Sequence, residues 1–251
     1  DDIMTLSLQD IQKIGITHNN AMDYVFQRMN DINISKLDKD QKYLNVSKFV
    51  DEYFDIIYPD KKNNEIAKLY ARQETENIRK FNKYSESKGI NNQNSPILQV
   101  IREHDKQLTI RQQNLLTKCD LALSLDTCGL NEVLTRFENL KEEAMNLTAK
   151  ERCVVLVAIE VGMQSAQYWS NNITEWDQVL NGKVSNSKGW FDWGGVGKSD
   201  VAGAIGGAIG AVAINLIPGV GQIGYLEAIV GAGVGASTTD AVIQVLDHLL
   251  K

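Results

Sequence analysis

The chain has 251 residues, of which 43% are hydrophobic and 23% charged, with a net charge of −6. A pI near 5.2 excludes a general phosphate-backbone binder, which needs a basic face, so no nucleic-acid partner is expected. The length suffices to bury a core without staples.

Only three prolines occur, Pro59, Pro96 and Pro218, and the stretches between them carry helical patterning. The prediction is an all-α, multi-helix bundle of seven to nine helices in one domain over 1–251. Its parts are N-terminal helices (1–95), central helices (96–175), a connector (176–198) and a glycine-rich hairpin (199–251).

Residues 7–30 place Leu8, Ile11, Ile14, Ala21, Tyr24, Val25 and Met29 near one helical face, with “ITHNN” a candidate interruption because Thr and Asn compete for backbone hydrogen bonds. “VSKFVDEYFDIIYP” is a second helix stopped by Pro59, and “NNEIAKLYARQETENIRKFNKYSESKG” a third. After the loop “NNQNSP” come “ILQVIREHDKQL” and “TIRQQNLLTKCDLALSL”, with a bend between them. “NEVLTRFENLKEEAMNL” points Val133, Leu134, Phe137, Leu140 and Ala144 inward. “TAKERCVVLVAIEVGMQSAQYWSNN” opens on a capping box, Thr148 with Glu151. Its run from Cys153 to Met163 is apolar nearly all round, as in the central helix of a bundle. Gly162, Ser165 and Ala166 give it a small-residue face.

The segment “GGVGKS” invites comparison with a phosphate-binding loop. The G-x-x-x-x-G-K-[ST] pattern requires glycine where Asp192 stands, and the upstream “SNSKGWFDW” is not a buried strand. No nucleotide is expected; the segment reads as a turn, with Ser199 or Asp200 capping the next helix. His18, His104 and His248 are isolated, so neither metal nor other cofactor is expected. The three cysteines, Cys119, Cys128 and Cys153, form no CxxC pattern and cannot all pair within the chain. They read as buried free thiols, with a Cys119–Cys128 bridge as the alternative in an oxidising compartment. No nucleophile elbow or Cys–His pairing suggests catalysis. The enzyme reading would rest on Glu160, a carboxylate inside “VVLVAIEVGMQ”, and on His18.

From Val201 to Leu226 no residue is charged. In the first half of the hairpin Gly203, Gly206, Gly207 and Gly210 share one face, and Ile205, Ile209, Val212 and Leu216 another. In the second, Gly231 and Gly235 are flanked by Ala228, Ala232 and Ala236, and Val242, Val245, Leu246 and Leu249 form an apolar end. Each interior glycine costs a helix roughly 0.5–1 kcal/mol relative to alanine, so close helix packing must compensate. The expected neighbour is the helix from Thr148 to Asn171. Lipid-embedded helices use the same device, so insertion of 199–236 into a membrane stays open as a second reading.

Three segments, “IGITHNNAMDYVF”, “SAQYWSNN” and “DVAGAIGGAIGAV”, together resemble a group of uncharacterised, predicted-exported helical proteins of Bacteroidetes-type bacteria. These carry an IG…HN…(M/L)DY segment, a helix ending in Ser-x-x-Tyr-Trp and a glycine-rich tail. The motif positions here are His18, Asn19, Asp23, Tyr168 and Trp169. The resemblance implies export, with a removed signal or lipoprotein leader, and supplies no activity; the start at Asp1 suits a mature exported chain or a trimmed one. The glycine-rich tail also resembles the hydrophobic segments of bacteriocins and helical pore-forming toxins. The expectation is therefore a non-catalytic, exported interaction or structural protein with an unidentified protein partner. The alternative is a membrane-active protein.

Overall fold

The computed structural model describes residues 6–88, 95–124, 129–182, 193–215 and 225–248, without the side chains of 81–88, 181, 193, 211–215, 225–226 and 241–248. Among these residues the chain is helical and contains no strand: α1 (Leu8–Asp31), a 3-10 turn (Ile34–Lys36), α2 (Lys39–Ile57), α3 (Lys61–Lys88), α4 (Pro96–Glu103), α5 (Ile110–Leu123), α6 (Leu130–Ala144), α7 (Ala149–Asn181), α8 (Trp193–Asn215) and α9 (Tyr225–His248).

Capping chemistry sets the starts. Ser7 with Asp10, Asp38 with Gln41, Thr109 with Gln112 and Thr148 with Glu151 each form a reciprocal capping box, satisfying amides the first turn leaves bare. The Asp38 box carries α2 back into “KLDKDQK”, well before the expected start at Val46. Pro96 occupies the first turn of α4 behind the Ser95 cap, and the chain bends between α4 and α5.

Two further boundaries differ from the expected ones. First, “ITHNN” does not interrupt α1. His18 and Asn19 direct their side chains to other helices rather than to their own backbone, which removes the competition that would break the helix. Second, α7 runs past the supposed start of the connector to Asn181. Trp176 and Leu180 are fully buried and extend its apolar face. Trp176 donates its indole N–H to Tyr168 at 3.0 Å and packs 5.1 Å from the Trp169 ring. The helix stops at Gly182, whose φ of 70° needs glycine. Lys42, itself buried, donates to the Leu180 carbonyl at 2.9 Å, and burial lowers its pKa.

α7 is the axis of the bundle. Residues 153 to 162 are all buried, with α1, α5, α6 and α8 packed around them. Phe137 of α6 and Val201 of α8 lie over Gly162, where a Cβ would stand 2.6 Å from the phenyl ring of Phe137. Cys119 is a buried free thiol and Cys153 is buried; Cys128 lies outside the described residues. So do Pro218 and Gly219 and the side chains of Val212, Leu216, Val242, Val245, Leu246 and Leu249.

Candidate functional site: the polar core of the glycine-rich hairpin

The hairpin helices have different neighbours, and the expected docking on α7 holds for α8 more than for α9. α8 and α9 run antiparallel. A Cβ on Gly203 would stand 2.6 Å from the Ala232 carbonyl, and one on Gly207 would stand 2.8 Å from the Ala228 carbonyl. Gly206 and Gly210 leave that face and look toward α3, where a Cβ would meet Glu74 at 3.2 Å and Tyr70 at 2.8 Å. The four glycines expected on one face thus serve two neighbours, because positions i and i+3 are offset by about 60° around a helix of 3.6 residues per turn.

α9 is pressed against α3 rather than α7. Gly231 faces Ala67 and Gly235 faces Ala71, each 2.2 Å from the facing carbonyl oxygen once a Cβ is placed on it. One turn further, the Thr239 hydroxyl donates to Thr75 at 3.0 Å, and Thr75 donates to the Gly235 carbonyl at 3.3 Å. The two helices run parallel, with a small residue every fourth position on both. This partner was missed from the sequence. Ala67, Ala71 and Thr75 lie in a helix rich in charge, and their i, i+4 spacing was the available signal.

“GGVGKS” is the first part of α8, not a turn before it. Lys198 stands 3.8 Å from Asp120 of α5, which also accepts a bond from Ser95. Ser199 and Asp200 are not caps, since both lie inside the helix. Ser199 donates across to Asp240 of α9 at 2.9 Å.

Asp200 is the centre of the site. It is fully buried and accepts hydrogen bonds from Ser165 and Trp169 of α7, the latter at 3.2 Å, and from Ser237 of α9. His18 of α1 bonds Ser237 through Nε2 at 2.7 Å and stands 3.7 Å from the Asp200 carboxylate. Five side chains from four helices therefore meet in the closed interior.

The Asn19 amide donates both to the Gln164 carbonyl and to its side-chain oxygen, at 3.3 Å each, and Asn19 Oδ1 lies 3.0 Å from His18 Nδ1. Ser237 donates to Asp200 and so bridges the His18 ring to the carboxyl group. Burial pushes the Asp200 carboxyl upward; His18 and the three hydrogen-bond donors oppose that push.

Of the residues singled out in the sequence, the structure joins His18 and Trp169 at Asp200 and leaves Glu160 apart. Glu160 lies in the α1–α7 seam, accepting from Gln164 at 3.2 Å, with Lys141 at 4.0 Å. Gly15 makes room for this seam: a Cβ there would stand 2.6 Å from Gln164. Asp200, Ser165 and Ser237 were missed because nothing in the sequence pairs position 18 with 237 or 165 with 200. The motif residues His18, Asn19, Tyr168 and Trp169 are all contacts between helices or along α7, which is how they act in this fold.

Among the described residues no group of His, Cys, Asp or Glu could hold a metal ion, and no helix is long and apolar enough to cross a membrane. The chain matches no protein-family model, no curated protein and no solved structure.

Proposed function

We propose that this chain is a non-catalytic, exported helical protein with an interaction or structural role, in which the glycine-rich hairpin stays in the core as a glycine zipper. The observation that carries this reading is the Asp200 cluster. Its chemistry-bearing groups (an imidazole, a carboxylate, two hydroxyls and an indole) are spent on one another, with His18 only 1% exposed and Asp200 fully enclosed. Withdrawing the hairpin would leave the buried His18 ring and the donors of α7 unpaired, a loss of several kcal/mol. Export rests on the resemblance of the three segments.

The second reading is a membrane-active protein that releases the hairpin. It is favoured by the uncharged run Val201–Leu226. Dye leakage from anionic and zwitterionic vesicles, with the full chain at pH 7 and pH 5, separates the two. The core reading expects no leakage at either pH. Saturable leakage that is lost when Gly207 is replaced by Leu would overturn it.

A further inference from the structure

A cavity of about 320 Å³ lies between α2 and α3, over the middle of α9. Its inner wall is apolar, with Val46, Val50 and Ala71 all buried. α9 adds Thr238 and Thr239, and α3 lines it with Arg72, Thr75 and Arg79, one α-helical face.

The two arginines are in different states. Arg72 is engaged by Asp51 at 2.5 Å. Arg79 rests 5.5 Å from the ring centroid of Tyr43, and among the described residues it has no carboxylate partner. The stacking holds its guanidinium in place while leaving the planar fork of N–H groups unspent. The threonines do not compete for an anion, because their protons go inward. Thr75 donates to the Gly235 carbonyl, Thr239 to Thr75 and Thr238 to the Val234 carbonyl.

We propose that this cavity binds a small monocarboxylic acid, its carboxylate on Arg79 and its hydrocarbon body against Val50 and Ala71. The charge limit comes from Asp40 and Asp51, which also line the cavity. They would repel a doubly charged phosphate, whereas one carboxylate matches one guanidinium fork. The volume falls at the small end of ligand pockets, which suits a short acid. The inference is independent of what the hairpin does.

The test is an NMR titration of the full chain with sodium hexanoate, with 1-hexanol and inorganic phosphate in parallel. Hexanoate should move the amide signals of Thr75, Arg79 and Thr239 saturably at millimolar concentration. Hexanol and phosphate should bind about tenfold more weakly or worse, the loss expected for one charge-assisted hydrogen-bond pair. Arg79→Gln should weaken hexanoate by a similar factor with the fold retained, and Arg79→Lys, which keeps charge without the fork, should weaken it less. No saturable shift with hexanoate, equal binding of hexanol, or an Arg79→Gln chain that binds as well as the parent would each overturn the proposal.

Discussion

Gly231 meets Ala67 backbone to backbone: a Cβ on the glycine would stand 2.2 Å from the alanine's carbonyl oxygen. Two residues along the same helix, a Cβ on Gly233 would meet nothing nearer than 3.6 Å. Gly231→Ala should therefore destabilise the protein by about 3 kcal/mol, the upper end of overpacking. Gly233→Ala should be neutral or stabilising by up to about 1 kcal/mol through helix propensity. Thermal melts of the two variants check this, and equal effects would contradict the α3–α9 pairing.

Gly207→Leu tests the other side of the hairpin, where a Cβ would stand 2.8 Å from both the Ala228 carbonyl oxygen and the Ile229 Cα. No rotamer of leucine avoids backbone atoms that close, so the melting temperature should fall sharply. An unchanged melting temperature would mean that α8 and α9 are not in contact.

Asp200→Ala should destabilise the protein by roughly 3 kcal/mol or more, because the Ser165 and Ser237 hydroxyls and the Trp169 indole lose their common acceptor and stay buried. Denaturant melts check this, and a loss under about 1 kcal/mol would show that the cluster is not closed.

Glu74 supplies the pH dependence. It is buried against Gly206 with Asn77 as its donor, and burial pushes its carboxyl up to about 7, with Glu103 adding to the rise. A carboxyl raised in the folded state favours folding most when protonated. Its contribution is fully present below about pH 4.5 and is lost as the pH rises through about 7. The difference is on the order of 3 kcal/mol. Denaturant melts of the parent and Glu74→Gln across pH 4.5 to 8 should diverge by this much, with the variant the flatter of the two. Parallel curves would show that Glu74 does not titrate in this window.

Burial pushes the Cys119 thiol up to about 12, so almost no thiolate exists at pH 8. Alkylation followed by peptide mass mapping should find Cys119 protected in native buffer and modified in denaturant. Labelling at equal rates in both would show that α5 opens.

The helical class, the central position of α7 and the Thr148 cap could be read from the sequence because each is local: a period, an apolar run, a capping box. What could not be read is pairing across the chain. The glycine spacing asked for a close neighbour without naming it. Ala67 and Ala71 were silent because alanine is a good helix former anywhere, and they sit among charged residues. Asp200 looked like a cap because its neighbours in sequence are glycines and a serine; its true hydrogen-bond partners are 31 to 37 residues away. Trp176 looked like part of a connector because Asn and Thr surround it, and burial overrode that local composition.

The parallel register of α3 and α9 has a consequence for how the chain is made. The carbonyls of Ala67 and Ala71 have no glycine to receive until residues 231 and 235 are synthesised, and His18 waits for Ser237. Contacts of such wide sequence separation are costly to close and form late in folding. Until α9 has been made, the helices before it stand without a finished interior.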